Sequence, residues 1–305
     1  MVKDLLRASR GRIGDAIGAT LAAFPRLEPA FVRAGRAVAA HRLLSTLYWA
    51  GAEGLLGRLR GTDRRFRRMP MAGTPLWLDI TDGTARMLYF HGEPYEPQVV
   101  DALAALLRPG DVFMDVGANI GFFSLIASRL VGEAGRVIAF EPHPGALARF
   151  HDLMKANGEP PGVEVVATAV GAAGRESVQL FLSTDSVLST LDPAQSPARS
   201  HFRFDRSLSV GLISLDQWLA DRPELLARLR LIKIDVEGAE AQVVDGMRQT
   251  LRHNPGVAVI CETDPGGATD LTLRREGYAP RPLGERAIVG NYLYQRDIPP
   301  TPHPC

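Results

Sequence analysis

Cysteine is scarce in this chain: its 305 residues include two, Cys261 and Cys305. A disulfide-stapled scaffold and a thiolate-rich zinc site both need more cysteines, so these two kinds of protein are excluded. Cys261 lies in an apolar run that predicts a buried strand, and so few cysteines are typical of a reducing cytosol. No group of His, Asp and Glu has the spacing of metal ligands, so we expect no metal site.

Long apolar runs are also missing. No stretch reaches the roughly 18 uninterrupted apolar residues that a membrane-spanning helix needs. Residues 1–4 are not followed by the unbroken apolar core of a secretory signal. We therefore expect a soluble or, at most, peripheral protein of the cytoplasm, since 46% hydrophobic and 23% charged residues are ordinary for a globular chain.

Charge is distributed unevenly, although the formal net charge is +1. Residues 1–75 contain 14 Lys and Arg against 5 Asp and Glu, and the remainder is mildly acidic. A basic region indicates an anionic neighbour, such as a membrane surface or a phosphorylated carrier. Nucleic acid is a weaker prediction, because the arginines are not interleaved with aromatic residues.

Residues 1–73 predict a helical N-terminal region rich in Ala, Leu and Arg. A stripe of leucines between Leu43 and Leu59 has helical spacing. We expect this stripe to pack on the main domain or on a second copy of the chain. The alternative is a membrane-surface helix, with the arginines between Arg58 and Arg68 facing lipid phosphates.

The pattern changes to strands between residues 74 and 92. Leu76–Ile80 and Arg86–Phe90 read as two strands, and the dipeptide Asp82-Gly83 between them is typical of tight hairpin turns. We expect a β-hairpin here, at the start of a second domain that covers residues 74–298.

From Gln98 onward, predicted strands alternate with predicted helices. Five short apolar segments predict the strands: 112–116, 136–141, 163–167, 229–235 and 257–261. Such alternation is the signature of an α/β fold with a Rossmann-like, doubly wound, mostly parallel sheet. Residues 175–218 interrupt the alternation, and we expect this excursion to cover the functional site.

The loop after the first of these strands is the leading site candidate, because ligands of such sheets bind beyond the carboxyl ends of the strands. Gly117 and Gly121 allow a tight turn and bring backbone N–H groups close to a ligand, at the N-terminus of the next helix. The Gly-x-x-x-Gly spacing differs from that of nicotinamide binders. Asp115 would repel a pyrophosphate but would bind an ammonium group. This loop, which includes Ala118 and Asn119, therefore indicates a cationic, amino-acid-like ligand.

A carboxylate also ends the second parallel strand. Glu141 follows Asp115 by about one strand–helix–strand step, the distance at which such folds bind the ribose diol of a nucleotide. Pro142 then breaks the strand. The alternative is that Glu141 stabilises the N-terminus of the following helix.

Three acids and a lysine follow one another at the end of the fourth parallel strand. Period-two alternation puts Lys233 and Asp235 on one side of this strand, and Asp235 reaches its carboxyl end. In a doubly wound order Asp235 lies beside the first loop, so we expect it in the site. Glu237 belongs either to the site or to a helix N-terminus, and Glu240 is expected to cap that helix.

Four further residues are weaker candidates. Glu96, upstream of the first strand, could reach the amino-acid end of the ligand. His143 and Asp216 are expected to cap helices. His201 could act as a general base, but it is one of seven histidines and no spacing singles it out.

Taken in order, these segments resemble the FkbM-like family of S-adenosylmethionine-dependent methyltransferases. The resemblance covers about residues 90–280, and its most specific part is the run Asp-Val-Glu-Gly-Ala-Glu. The matching segments are Tyr95–Pro97, Val116–Gly121, Phe140–Pro142, Ala169–Gly171, Ser214–Asp216, Ile232–Glu240 and Gly277–Tyr278.

The resemblance implies a class I methyltransferase fold with S-adenosylmethionine as methyl donor. By similarity, the loop 115–121 would bind the methionine end of the donor, and Asp235 would lie beside the sulfonium. The remaining implied contacts are Glu96 at the amino-acid end, Glu141 with Pro142 at the ribose, and Ala169 and Val170 at the adenine.

The same resemblance implies an acceptor and a reaction. The family mostly methylates hydroxyl groups of sugars, glycans and secondary metabolites, so the partner is a small-molecule or glycan acceptor. The enzyme must align donor and acceptor and assist loss of the hydroxyl proton. We expect Asp235 or Glu237 to be the general base or to orient the acceptor.

Two other classes stay open at this point. A Rossmann oxidoreductase is disfavoured by the missing third glycine and by Asp115. A non-catalytic module, docked through its basic N-terminal region, is disfavoured by the intact set of cofactor-facing residues. The acceptor is expected to depend on the first 75 residues and on the loop 193–206, where the chain departs from the family.

Overall fold

The computed structural model describes residues 2–38, 41–71, 73–173, 176–183, 189–194, 196, 203–284 and 290–296, and their side chains except those of residues 2–10 and 42. The chain separates into two compact units, Met1–Pro97 and Gln98–Cys305. This division falls later than the predicted domain boundary at 73/74. His201 and much of the loop 193–206 lie outside the described residues. Within the described part of the chain, no helix is long and apolar enough to cross a membrane.

The first unit is mainly helical, as predicted. Its elements are α1 (Val2–Ala23), α2 (Glu28–Ala37), α3 (Arg42–Leu59), β1 (Phe66–Met71), β2 (Thr74–Asp79) and α4 (Gly83–Arg86), with 3-10 turns at Pro25–Leu27 and Asp63–Arg65 and a π-helix at Met87–His91.

Helices α1 and α3 pack with their backbones in contact, because glycines face one another. A Cβ atom on Gly18 would lie 2.2 Å from the carbonyl carbon of Gly54. Leu55 and Leu59 of the predicted stripe are buried, whereas Leu43 is 64% exposed. Part of the stripe thus contributes to the interior of the protein.

The β-hairpin of this unit lies earlier in the chain than predicted. Strand β1 pairs antiparallel with β2 along their whole lengths. The predicted second strand, Arg86–Phe90, is wrong, since these residues are helical. Asp82 was expected in a turn, but its carboxylate accepts a hydrogen bond from Thr84 N (2.9 Å) and so caps α4. Arg67 and Arg68, expected on a helix, lie in β1.

The second unit is an α/β fold that begins with α5 (Pro97–Leu106). Its other elements are β3 (Val112–Val116), α6 (Phe122–Val131), β4 (Arg136–Phe140), α7 (Pro144–Ala156), β5 (Val163–Val166), β6 (Ala169–Val170), β7 (Ser177–Ser183), β8 (Ser189–Thr190), β9 (Phe204–Ile213), α8 (Leu215–Leu219), α9 (Pro223–Arg228), β10 (Leu229–Ile234), α10 (Glu240–Asp245), α11 (Arg248–His253), β11 (Ala258–Thr263), α12 (Ala268–Arg275), β12 (Ala279–Pro282) and β13 (Gly290–Gln295).

Seven of these strands form one sheet in the order β12-β13-β11-β10-β3-β4-β5. Strand β13 is antiparallel to both of its neighbours, whereas the pairs from β11 to β5 are parallel. The five predicted strands are present with ends within two residues of those expected. The mostly parallel, doubly wound α/β fold is therefore confirmed.

The predicted excursion forms a second sheet, in the order β6-β9-β7-β8. Strand β7 pairs antiparallel with β9, and the short β6 pairs parallel with the end of β9. These strands pair with one another rather than with the seven-stranded sheet, so the excursion leaves the main sheet continuous.

Alternation along β10 separates an apolar side from a charged side. Ile232 and Ile234 are fully buried in the apolar core, with Val243 and Leu251 of the following helices. Lys233 between them must point to the opposite side of the sheet. Strand β10 lies between β3 and β11. Lys233 is opposite Asp115 of β3, one residue before the carboxyl ends of both strands.

Candidate active site

The loop after β3 turns sharply at two glycines. Gly117 has a φ of +81° and Gly121 one of +86°, a region that favours glycine. The amides of Gly117 and Ala118 both donate to the carbonyl oxygen of Phe140 at 3.0 Å, which fixes the loop to the end of β4. A Cβ on Gly117 would lie 1.8 Å from the carbonyl oxygen of Asp235, so only glycine lets the β3 and β10 loops approach this closely.

Asp115 is fully buried just before this loop. Its Oδ2 accepts a hydrogen bond from Ser124 Oγ at 2.6 Å, whereas Oδ1 has no hydrogen-bond partner within the described part of the chain. Burial raises the pKa of Asp115, and the nearby charge of Lys233 opposes this rise. A buried oxygen without a donor costs about 1–3 kcal/mol. A bound ammonium group would recover that free energy, so the residue fits the ligand that the sequence predicts.

Glu141 follows β4 and links this strand to the β3 loop. Its Oε2 accepts from Asn119 N at 2.8 Å, and its Oε1 accepts from His143 N at 2.7 Å. Each carboxylate oxygen has two lone pairs, so both oxygens can accept one further hydrogen bond. Burial raises the pKa of Glu141 to about 7. The geometry suits a vicinal diol, which would donate one hydrogen bond to each oxygen.

The end of β10 brings Asp235 beside the β3 loop, as its place in the sheet predicts. Asp235 N donates to the carbonyl oxygen of Val116 at 3.0 Å. The side chain of Asp235 is 25% exposed, and its Oδ2 lies 2.9 Å from Lys233 Nζ. The contact confirms that Lys233 and Asp235 share one side of the strand.

Glu237 lies in the turn between β10 and α10, in a left-handed conformation with a φ of +56°. Burial and then the charges of Asp235 and Glu240 raise its pKa to about 7. Two hydroxyl groups anchor this turn. Thr190 Oγ1, in β8 of the second sheet, donates to the main-chain oxygen of Glu237 at 2.7 Å, and Ser196 Oγ, outside the strands, donates to Oε2 at 3.4 Å. Glu237 is therefore a half-buried carboxyl group that can change protonation near neutral pH.

Two of the three predicted capping residues, His143 and Asp216, have that role, whereas the prediction for Glu240 is wrong. Helix α10 begins at Glu240 rather than near Glu237, and Glu240 Oε1 accepts from Val236 N and Gly238 N at 3.2 and 3.1 Å, in the turn that precedes the helix. His143 Nδ1 accepts from the first amides of α7. Asp216 accepts from the amides of residues 249 and 250 and so caps α11.

The other predicted site residues are less closely joined to this cluster. Ala169 and Val170 are buried in β6, and Pro142 is half-buried next to Glu141. Glu96 lies in the first unit, Met1–Pro97. Contacts of these four residues with a cofactor stay predictions.

Four residues of the site were not anticipated as functional. Lys233 had a signal, since period-two alternation places it beside Asp235. Ser124 had none, because a serine inside an apolar helix is not tied by spacing to Asp115. Thr190 and Ser196 meet Glu237 from more than forty positions away in sequence.

The site as a whole contains the unpaired, buried Oδ1 of Asp115 after β3 and the carboxylate of Glu141 after β4, which can accept from a diol. Asp235 and Glu237 follow the neighbouring strand β10. These features fit a ligand that carries an ammonium group, a ribose and a positive charge. S-adenosylmethionine has all three. The mostly parallel sheet, and the position of the site in the loop after β3, agree with the class I methyltransferases.

Comparison with known proteins supports this class and gives the family. Residues 115–278, more than half of the chain, match the methyltransferase FkbM domain. The fold and this match define an S-adenosylmethionine-dependent methyltransferase of class I. The chain belongs to the FkbM methyltransferase family. This membership decides against the oxidoreductase alternative.

Relatives at about 30% identity extend over most of the second unit. Methyltransferase 1 of Beauveria bassiana is 30% identical over 190 residues, which is 56% of this chain and 74% of that protein. The 31-O-demethyl-FK506 methyltransferase FkbM of Streptomyces tacrolimicus is 30% identical over 213 residues, 62% and 80% of the two chains. The hexuronic acid methyltransferase AglP of Haloferax volcanii is 29% identical over 180 residues, 58% and 67%.

Among solved structures, a precorrin-6y C5,15-methyltransferase from Geobacter metallireducens superposes with a TM-score of 0.40 and 16% identity, covering 67% of this chain and 89% of that one. Because this TM-score is low, the fold assignment rests on the strand order and on the family match.

Proposed function

We propose that the chain transfers the methyl group of S-adenosylmethionine to a hydroxyl group of a sugar, a glycan or another small molecule. Two relatives support this acceptor class by their names: one acts on 31-O-demethyl-FK506 and the other on hexuronic acid. The name of the second relative does not say which oxygen is methylated, since a uronic acid offers a carboxylate as well as hydroxyl groups. Methylation of a hydroxyl is therefore part of the proposal.

The observation that carries the proposal is the position of Glu237, a half-buried acid two residues after Asp235 in the turn that follows β10. The pKa of Glu237 is raised to about 7, which is the range in which a general base works best at neutral pH. A hydroxyl acceptor has a proton to lose as the new bond forms, whereas a carboxylate acceptor has none. The site therefore has a group suited to a hydroxyl acceptor, whose proton must be removed.

The cofactor, when bound, supplies an electrophilic methyl group on a sulfonium. The protein's part is to bind, orient and accept a proton. Asp115 would hold the ammonium group through Oδ1, and Glu141 would accept hydrogen bonds from the ribose hydroxyls. Asp235 would lie beside the sulfonium, where its negative charge would favour the cationic donor. Glu237 Oε1 or Oε2 accepts the proton of the acceptor hydroxyl.

The first unit has a different part in this proposal. Arg65 and Arg67 pair with Asp79 and Glu28 of the same unit. Its exposed basic residues, such as Arg60 and Arg68, and the exposed Leu43 would serve self-association or contact with an anionic surface. Sedimentation with anionic and neutral vesicles separates these roles from each other. Binding to anionic vesicles alone would favour the surface, and concentration-dependent mass in the absence of vesicles would favour self-association.

The test of the activity uses the purified chain with methyl-labelled S-adenosylmethionine and three acceptor sets: neutral sugars, uronic acids and polyhydroxylated macrocycles. We expect label in a methyl ether, which survives mild base. Label that mild base removes would be a methyl ester and would contradict hydroxyl methylation. Transfer to nitrogen or carbon acceptors, with none to hydroxyls, would also contradict the proposal. A D235N variant controls for adventitious transfer.

A further inference from the structure

A single lysine ammonium is buried among the carboxylates of the site. Lys233 is 2% exposed, and its Nζ lies 2.9 Å from Asp235 Oδ2 and 4.7 Å from the centroid of the Phe123 ring. In the parallel pairing of β10 with β3, Lys233 is directly opposite Asp115. The ammonium group is thus placed between the two acids that the cofactor's charged groups would meet.

Burial of an ammonium group is costly unless it is paired, so the position calls for a reason. The chain contains only three lysines, Lys3, Lys155 and Lys233, among its 35 basic residues. The guanidinium of arginine is planar and larger, whereas an ammonium is a compact point charge. The space beside Phe123 and Asp235 accordingly takes the smaller cation.

The charge of Lys233 acts on more than its hydrogen-bond partner. Burial raises the pKa of both Asp115 and Glu237, and the positive charge of Lys233 opposes this rise at each carboxyl group. In the described part of the chain, the ammonium of Lys233 offsets the burial of Asp115 and donates a hydrogen bond that holds the carboxylate of Asp235 in place. Both acids need to be ionised to attract a cationic ligand.

We infer that Lys233 is a positioning residue of the cofactor site, which holds the carboxylate of Asp235 towards the sulfonium and places a positive charge opposite Asp115. The inference rests on the placement of Asp235 beside the sulfonium in the proposed function. It assigns to Lys233 an effect on cofactor affinity through these two acids, without contact with the reacting atoms.

The direction in which the affinity for S-adenosylmethionine changes, when Lys233 is replaced, distinguishes a positioning role from simple charge repulsion. The positive charge of Lys233 by itself repels a cationic ligand, so its removal would strengthen binding of S-adenosylmethionine. S-adenosylhomocysteine lacks the methyl group and the positive charge on sulfur. A positioning role therefore predicts that loss of Lys233 weakens binding of S-adenosylmethionine more than binding of S-adenosylhomocysteine. A purely structural role would weaken both equally.

The experiment is calorimetric titration of the full chain with each of the two compounds, for wild type, K233M, D235N and the double variant. We expect K233M to lower the affinity for S-adenosylmethionine about tenfold and to lower the affinity for S-adenosylhomocysteine clearly less. The double variant should bind no more weakly than D235N, because Lys233 acts largely through Asp235. K155M, which removes the same charge from an exposed position of α7, should bind like wild type.

Each other outcome has a defined meaning. If D235N binds S-adenosylmethionine like wild type, the placement of Asp235 in the proposed function fails. If D235N is weakened but K233M is not, or if K233M gains affinity for S-adenosylmethionine, the inference about Lys233 is overturned. An equal loss for both compounds in K233M would assign a structural role and would also overturn it.

If K233M fails to fold, wild type itself provides the answer. Lysine labelled with 13C gives few side-chain signals, since the chain has three lysines. Titration with S-adenosylmethionine and with S-adenosylhomocysteine should shift the Lys233 signal, identified by elimination with K3R and K155R, and the shift should differ between the two compounds. An unchanged Lys233 signal in both titrations would overturn the inference.

Discussion

The loops after β3 and β10 begin at adjacent strand ends, yet they are built in different ways. The β3 loop takes its shape from Gly117 and Gly121 and from backbone hydrogen bonds to Phe140, and its acid is wholly buried. The β10 loop contains Glu237, a half-buried acid whose turn is held by Thr190 of the second sheet and by Ser196, which lies beyond β8. The shape of the β3 loop depends on close approach of the backbone, whereas the β10 loop contributes a carboxyl group that can change its charge.

This difference indicates a division of labour. Binding of an invariant ligand needs a fixed shape, which glycine conformations and main-chain hydrogen bonds provide. Reaction with an acceptor needs a group whose protonation changes near neutral pH. Changes of size should therefore disable the β3 loop most, and changes of charge should affect the β10 loop most.

The largest effect is expected for Gly117→Ala. The new methyl group would lie 1.8 Å from the carbonyl oxygen of Asp235, so the two loops must separate. We expect a loss of about 3 kcal/mol or more in the free energy of unfolding, and no measurable binding of S-adenosylhomocysteine. Denaturant unfolding and calorimetry measure the two quantities.

Gly158→Ala is the matched control. Gly158 has a φ of +79°, close to that of Gly117, but a Cβ there would meet nothing within 4 Å. Its loss should be about 1 kcal/mol, the cost of the left-handed conformation alone. Equal losses in the two variants would show that close approach of the loops is not what requires glycine at 117.

Glu237→Gln should affect turnover and leave binding intact. We expect the rate to fall about 100-fold on the acceptor found by the methylation assay, because the proton acceptor is removed. The affinity for S-adenosylhomocysteine should stay near that of wild type. Glu224→Gln, an exposed position on α9, is the control.

The pH profile sharpens the same prediction. Below about pH 7 the carboxyl of Glu237 is protonated and cannot accept a proton, so the wild-type rate should rise as the pH increases through 7 and then level off. At saturating S-adenosylmethionine, where the pH dependence of cofactor binding through Glu141 does not enter, the remaining rate of the Glu237→Gln variant should lack this rise. A variant with the wild-type profile would assign the base to another group.

Glu141→Gln should weaken binding by a smaller factor. The amide can still accept on one atom but loses the charge, and we expect the affinity for S-adenosylhomocysteine to fall about tenfold at pH 8. Wild-type affinity should rise with pH through about 7, because only the ionised carboxylate offers both oxygens to a diol. Titration at pH 6 and pH 8 checks both points.

Glu164→Gln provides the comparison for this variant, since Glu164 is exposed on the neighbouring strand β5. It should retain both the affinity and the pH dependence of wild type. If Glu141→Gln also retained them, ribose binding by Glu141 would be wrong.

Thr190→Val should have the smallest effect. Valine keeps the shape of threonine but loses the hydrogen bond to the main-chain oxygen of Glu237. We expect a decrease of about 1 kcal/mol in the free energy of unfolding and unchanged binding of S-adenosylhomocysteine. Weaker cofactor binding would show that the second sheet also supports the first loop, against the division proposed above.

The central sheet could be predicted because its strands are short apolar runs separated by helices. The placement of Asp115, Glu141 and Asp235 at adjacent strand ends then follows from strand order. The contacts of Glu237 could not be predicted, since they come from a residue of the second sheet and from a residue beyond β8, both distant in sequence. No local pattern relates Thr190 or Ser196 to a strand end so distant in sequence.

The hairpin of the first unit shows a different limit. Asp82-Gly83 has the composition of a hairpin turn, but an aspartate before a helix is an equally good cap, and the local sequence supports both. The arginines of Phe66–Met71 predict a continuation of the basic helical region, and they conceal the alternation that buries Met69 and Met71. Pairing with β2, rather than local preference, makes this segment a strand.

The pairing of β1 with β2 also determines where the chain can be shortened. A cut between residues 73 and 74, at the boundary that composition suggests, would separate two hydrogen-bonded strands and leave each with an open edge prone to aggregation. A fragment that starts just before Pro97 would instead retain the proline that opens α5 and the whole seven-stranded sheet. Expression trials of the second unit should begin there.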